Sequence, residues 1–499
     1  MEKTAISVKA SKIELNKVKG NALLIGLLKD KLTLSGELKK LDEEYGGIIS
    51  SYIKNNHFKA EKGETRSVFV NRNIKNLVLV GLGEEEKYNL DVLLNAIADA
   101  SKKFRDNGTE NFSLCLDSFK NKFKEEDVVE KIVLSALIGL YKFTEFKTKD
   151  NGKIRQIKQI TIITNSNKNF DNEVKYASVV ANAVNKTRDL VNMPPNVATP
   201  EYMADYAKEL AKKSGLKCIV FDEKQIEGMK MGCFINVAKG SINKPRLVIL
   251  EYYGNDKKQK PIAIVGKGIT FDSGGLNLKP YPYILNMKDD KGGAVAAMHI
   301  IEACYKLKFP LNLIAIMPFC ENMPSGSSFR PDDVLTAHNG MTVEIKNTDA
   351  EGRLILADAL SYAAEMKPQA IIDIATLTGA SLIALGYIGT PFLTTNEKLR
   401  EKIKNASEKS LEKVWEFPLW QEYEENIKSD VADLKHISEE SDAGVIIGAT
   451  FLKNFVNEIP WAHIDIGTTV WSKADKGVLT KGATGVTARL MMEMLREWK

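Results

Sequence analysis

Three short segments carry charged residues whose types and spacing could do chemistry. The first, Val265–Pro280, sets Lys267, Asp272 and Lys279 among Gly266, Gly268, Gly274 and Gly275. Glycines let a backbone turn tightly and come close to a ligand. The Gly-x-Gly here is not a dinucleotide loop, because Phe271 stands where the third glycine of G-x-G-x-x-G belongs. The second segment, Met287–Ala294, places Asp289 and Asp290 just before an apolar stretch. Alone, that pair reads first as a helix cap, since anions are favoured at helix starts. The third, Asn347–Leu354, reads Asn-Thr-Asp-Ala-Glu-Gly-Arg-Leu. In an extended chain Asp349, Glu351 and Arg353 would point to one side. A helix cap with Glu351 and Arg353 as a surface ion pair explains the same residues equally well.

Taken together the segments offer Asp272, Asp290, Asp349 and Glu351. Four carboxylates converged in a pocket repel and cannot all stay ionised unless countered. Two divalent cations would balance them, and carboxylate oxygens suit hard or borderline ions. Two such ions, about 3.5–4 Å apart, form a hydrolytic clamp. Histidine and cysteine offer no alternative metal site. His57, His299, His338, His436 and His463 are scattered without H-x-x-x-H spacing. Cys115, Cys218, Cys233, Cys304 and Cys320 include no C-x-x-C pair, a pattern of buried thiols in a reducing compartment.

The elements that must position these residues alternate along the chain. Strands are expected at 77–83, Gln159–Thr164, Leu247–Tyr252, Ile262–Val265, Leu313–Met317 and Ala370–Ile374. Helices are expected at Asp91–Phe104, Glu173–Leu190, Glu201–Ser214, Gly293–Leu307, Leu354–Met366 and Val445–Asn457. Lys147–Lys158 reads as a polar surface loop. The alternation predicts an α/β fold: a smaller N-terminal α/β domain over 1–168, a connecting helix over 169–192, and a larger catalytic domain over 193–499 with a mixed, mainly parallel sheet. Ligands in such sheets bind beyond the carboxyl ends of strands.

The same residues carry a resemblance. Val265–Pro280, Met287–Ala294, Glu321–Gly326, Asn347–Leu354 and Ala375–Ala380 resemble the leucyl aminopeptidase (cytosol aminopeptidase) family, whose signature is the octapeptide. The resemblance runs from about Val184 to Arg489. It implies a dinuclear site, usually zinc and accepting manganese, cobalt or magnesium, with Asp272 and Glu351 bridging. Asp349 would bind one metal, and Lys267 and Asp290 the other. An amine ligates only when neutral, so Lys267 would need a depressed pKa, which neighbouring cations favour. The resemblance makes Lys279 the electrophile and Arg353 the holder of a bicarbonate base. Met287, Thr376, Leu377 and Gly379 would bind the substrate. It also implies peptide substrates with leucine or similar apolar N-termini, and a homo-hexamer. The chain departs from the family pattern at Lys291, at Asp332 within Arg330–Asp333, and at Asp465–Thr469; the last lies near the family's substrate pocket and bears on side-chain preference, not on the metals.

Composition narrows the rest. The 499 residues are 44% apolar and 27% charged, which excludes a disordered chain and a disulfide scaffold. No run approaches a membrane span, and the charged N-terminus shows no secretory signal, so a cytoplasmic protein is expected. The net charge of +5 is not gathered into a tail, so nucleic acid is expected at most as a secondary partner. A two-metal phosphoesterase and a binding protein with a vestigial site are the rival functions. His463 reads as structural, Lys291 as a solvated or ion-paired neighbour or a substrate contact, and Met491, Met492 and Met494 as packing.

Overall fold

The computed structural model describes residues 6–70, 72–149, 156–440 and 442–498. The chain divides into two compact units, Met1–Asn182 with Lys473–Thr480, and Ala183–Ser472 with Lys481–Lys499. The division falls inside the helix Asp171–Asn192. Residues 150–155 of the expected loop at Lys147–Lys158 lie outside the described residues.

The first unit holds strands β1 (Ser7–Lys12), β2 (Gly20–Leu27), β3 (Thr65–Phe69), β4 (Ile74–Gly81), β5 (Asn111–Cys115) and β6 (Gln159–Thr164). They form one sheet in the order β1-β6-β5-β2-β4-β3. Every pair is parallel except β3 with β4. The buried run in β4 is the apolar stretch anticipated at 77–83, and the helix Leu90–Asp106 follows it, capped by the Asn89 side chain.

The second unit adds β7 (Lys217–Phe221), β8 (Arg246–Tyr253), β9 (Ile262–Gly266), β10 (Gly268–Asp272), β11 (Asn312–Asn322), β12 (Val334–Thr336), β13 (Thr342–Glu344), β14 (Ala370–Ala375), β15 (Thr390–Thr394), β16 (Val414–Glu416), β17 (Leu434–Lys435) and β18 (Trp461–Asp465). Its main sheet runs β16-β15-β18-β14-β9-β11-β8-β7, with β10 also on β11. The central β18, β14, β9 and β11 are mutually parallel, whereas β8 opposes β11 and β15 opposes β18. The sheet is therefore mixed, and the fold is α/β in both units. Strands β9, β11 and β14 are buried along their whole length, which is why their sequences are continuous apolar runs rather than alternating ones.

Two helices bring chemistry to the ends of these strands. Gly292–Leu307 is mostly apolar and buried from Gly292 to Cys304, as a core helix must be. Glu351–Glu365 is rich in alanine and leucine, good helix formers, and is equally buried. It begins three residues earlier than its apolar pattern suggested, so Glu351 and Arg353 are helical and the extended alternation expected there is not found. Neither residue is a surface group, with Glu351 at 1% and Arg353 at 6% exposure.

The remaining readings fall into place by burial. The free cysteines are buried apart from the half-buried Cys218. Met491, Met492 and Met494 are buried on the helix Ala488–Arg496. His463 is fully buried, and its Nδ1 lies 2.6 Å from Asp373 Oδ1. Trp461 Nε1 donates to the other oxygen of that carboxylate at 2.7 Å. Among the described residues no helix is long and apolar enough to cross a membrane.

The start of the helix Gly292–Leu307 touches strand backbone directly. Ala294 N donates to Lys267 O at 2.8 Å, and Lys267 N to Ile374 O at 3.0 Å. A Cβ added at Gly293 would lie 1.9 Å from Ile374 O. Close-packed interiors resist such insertions. Replacing Gly293 by Ala should cost about 2–3 kcal/mol, read as a lower unfolding midpoint in urea. A midpoint equal to the parent's would show that the helix can retreat freely.

Candidate metal centre

The strand ends and helix starts of the second unit converge their charged residues. Lys267 follows β9, and Asp272 ends β10. Asp290 lies in the 3₁₀ turn Met287–Lys291 that leads into the helix Gly292–Leu307. Asp349 lies in the 3₁₀ turn Thr348–Ala350, followed at once by the helix that begins with Glu351. Thr376 follows β14. The site thus lies beyond the carboxyl ends of adjacent parallel strands, where the alternation placed it.

Two lysines thread the carboxylates. Lys267 Nζ lies 2.7 Å from Asp290 Oδ1 and 2.9 Å from Glu351 Oε1, and donates to Thr376 O at 2.8 Å. Lys279 Nζ lies 2.9 Å from Asp272 Oδ2 and 2.6 Å from Asp349 Oδ1. Thr376 Oγ1 donates to Asp290 Oδ1 at 2.6 Å. Asp272, Asp290 and Glu351, all buried, each offer an oxygen within 4.8 Å of the others'.

Burial is the first cause of the titration behaviour. It raises the pKa of Asp272, Asp290, Asp349 and Glu351, and like-charged neighbours add to the rise. Burial works against both ammonium groups as well, but the carboxylates around them outweigh it. Lys267 and Lys279 are both held above the ordinary lysine value. The depressed Lys267 pKa anticipated in the company of cations is therefore not what these side chains produce by themselves.

The donor set fits divalent cations on a separate observation. Asp290 Oδ2 and Glu351 Oε2 are buried and have no hydrogen-bond partner. An unsatisfied buried carboxylate oxygen is costly. Two lysines also leave four carboxylates under-compensated. Hard oxygen donors with an excess of negative charge are what a divalent ion requires.

Neighbouring residues divide clearly. Asp289 is buried beside the cluster but is not one of the three carboxylates that come together, and burial pushes its pKa up to about 7. The sequence reads Lys291 as a solvated or ion-paired neighbour or a substrate contact. Instead it is fully buried, and its ammonium donates to the carbonyls of Val191 (3.4 Å), Met193 (3.3 Å) and Lys288 (2.5 Å). Burial lowers its pKa to about 7. Arg353 Nη1 donates to His436 O at 2.7 Å, while its buried Nε has no partner. Burial lowers the Arg353 pKa to about 10. Met287 and Leu377 are half-buried, and Gly379 is exposed.

Two supporting residues were not singled out from sequence. Asn322 Nδ2 donates to Asp272 Oδ1 and to Thr348 O, both at 2.9 Å, joining the β10 end to the octapeptide. The Glu321–Gly326 segment pointed to it without giving it a role. His436 Nε2 lies 2.8 Å from Asn347 O, and the His436 carbonyl holds Arg353. Burial, and then Arg353, drop the His436 pKa to about 4, so the ring is neutral. No sequence signal marks His436, because half of its work is done by its main chain.

Comparison with known proteins places this geometry. Residues 185–492 match the catalytic domain of the cytosol aminopeptidase family, and residues 24–150 match its N-terminal domain. A probable cytosol aminopeptidase of Geobacter sp. (strain M21) is 38% identical over 95% of this chain and 96% of the relative. One from Sulfurihydrogenibium sp. (strain YO3AOP1) is 40% identical over 95% of each. A tomato leucine aminopeptidase mutant superposes with a TM-score of 0.89 at 31% identity, covering 99% of this chain and 97% of that one. A bottromycin maturation enzyme in complex with Mn gives a TM-score of 0.85 at 28% identity, covering 96% and 99%.

Metal binding should register as stability. Adding Mn²⁺ or Zn²⁺ to chelator-stripped protein should raise its thermal midpoint, since free ion at 100 times Kd contributes about 2.7 kcal/mol. The doubly substituted Asp290→Asn, Glu351→Gln protein should show no such rise. An unchanged midpoint for the parent would rule out a resident ion at this cluster.

Proposed function

The chain belongs to the cytosol aminopeptidase family and is a metal-dependent aminopeptidase, a hydrolase; on that premise we propose which residues carry the reaction and which peptides it takes. Lys267, Asp272, Asp290, Asp349 and Glu351 hold two divalent ions, zinc or manganese, with cobalt and magnesium as substitutes. When bound, such ions polarise a carbonyl and make water a nucleophile near neutral pH. The observation that carries the assignment is the pair of buried, unpartnered oxygens, Asp290 Oδ2 and Glu351 Oε2.

The chain's own groups do the rest. Lys279 keeps its proton because Asp272 and Asp349 face it. That ammonium donates to the peptide carbonyl oxygen as negative charge develops there. Arg353 is anchored through Nη1 and has Nε unpaired, so part of its planar fork remains to grip a bicarbonate anion, which serves as general base. With both ions held by these residues, the substrate's free α-amine, in its neutral form, would be a further ligand at the same centre, which restricts cleavage to N-termini. Thr376, Leu377 and Gly379 align the peptide main chain, and Met287, Thr376 and Gly379 line the pocket for the first side chain. Leucine and similar apolar residues are the preferred N-termini. The family resemblance supports a cytoplasmic homo-hexamer.

Leucine amide should be hydrolysed, the activity lost to chelator and restored by Mn²⁺ or Zn²⁺. Activity that survives exhaustive metal removal would overturn the mechanism, and turnover of a phosphomonoester in place of the amide would favour a phosphoesterase. Asp349→Asn should cost far more activity than Asp289→Asn, and equal effects would mean that the wrong carboxylates were chosen. Lys279→Gln should lower kcat by about 10²–10³ with metal content unchanged. A drop in metal content instead would make Lys279 a structural counter-charge.

A further inference from the structure

Asp465 is a fully buried carboxylate at the end of β18, and the reaction as described makes no use of it. It lies across from Ala375, the last residue of β14. From there it reaches the turn that begins with Thr376. Its Oδ1 accepts from Leu377 N at 3.1 Å, Thr378 N at 3.3 Å and Gly467 N at 3.0 Å. Its Oδ2 accepts from Thr378 Oγ1 at 2.7 Å. A buried carboxylate is tolerated when several donors satisfy it, and charge-assisted hydrogen bonds are the stronger kind. The turn is therefore held by charge and direction, not by apolar contact alone.

The opposite side of the turn is closed by backbone. A Cβ added at Gly467 would lie 2.3 Å from Thr378 O and 3.1 Å from Asp465 Oδ1. No side chain fits at 467 while the turn keeps its place. The turn in turn fixes the metal centre, because Thr376 O holds Lys267 and Thr376 Oγ1 holds Asp290.

We propose that Asp465 is a positioning residue for peptide binding: with Gly467 as a backstop, it sets the placement of residues 376–379 against the carboxylate cluster, and so tunes how tightly the peptide main chain is held. The proposal rests on the assignment of Thr376, Leu377 and Gly379 to the substrate. Loss of one anchor should loosen binding of substrate and transition state alike, which raises KM and leaves kcat in place.

Thr378→Val tests this with little change of shape, since it deletes only the hydroxyl that reaches Asp465 Oδ2. With Mn²⁺-loaded protein and leucine amide, KM should rise about fivefold, with kcat, metal content and thermal midpoint close to the parent's. Thr378→Ser, which keeps the hydroxyl, should restore KM. Asp465→Ala would strand four donors and compromise folding, so Gly467→Ala serves as the second variant, and it should raise KM in the same direction. A parent KM in Thr378→Val overturns the proposal, as does a fall in kcat or metal content with KM unmoved. A parent protein without leucine-amide activity would overturn the functional reading and this proposal with it.

Discussion

Three buried carboxylates with oxygens within 4.8 Å of one another, and the half-buried Asp349 joined to them through Lys279, are the constraint on which the rest of the structure depends. In a low-dielectric interior their mutual repulsion and lost hydration would push them towards the neutral form, and the raised pKa values of Asp272, Asp290, Asp349 and Glu351 show that pressure. Lys267 and Lys279 relieve part of it, each lying between two carboxylates. Two positive charges against four negative ones leave a site whose remaining demand is for cations. A fold can tolerate such a cluster only if its scaffold holds the charges in place against repulsion.

The scaffold does this by bringing backbone against backbone. Strands β9, β11 and β14 are buried throughout; β9 and β14 end side by side, and β11 runs on beyond them to pair with β10, whose last residue is Asp272. Gly293 lets the helix that follows Asp290 rest on Ile374 O. Asn322 binds Asp272 to the octapeptide, and His436 binds the octapeptide at Asn347 and at Arg353. Each of these contacts uses a main-chain carbonyl or a neutral side chain. None adds charge to a site that already holds more than it can balance.

This division explains what could be read from sequence. The α/β alternation and the strands leading into the site were legible because buried parallel strands must be apolar runs, as β9 at Ile262–Gly266 shows within one residue of its expected end. The carboxylates and lysines were legible because their types are chemically unusual so close together. The conformation of the octapeptide was not, because alternating charges fit an extended chain and a helix start equally well until burial decides. Lys291 was misjudged for a similar reason. A lysine usually reaches water, and only the fold brings the carbonyls of Val191, Met193 and Lys288 around its ammonium. His436 and Asp465 act on partners about 80 or more residues away in sequence, which no local pattern records.

The two lysines show how position turns one residue type into two functions. Lys267 follows β9 directly, its side chain is 4% exposed, and the Thr376 carbonyl joins two carboxylates in holding it. A group so enclosed has no path to a peptide, which suits the proposed place among the ligands. Lys279 lies on the longer loop beyond β10, its side chain is 16% exposed, and both its ionic partners are carboxylates. It can turn to an incoming carbonyl oxygen without leaving a buried main-chain group unpaired. The difference in pairing therefore supports the fixed role proposed for Lys267 and the responsive role proposed for Lys279, on grounds independent of any resemblance between this chain and its relatives.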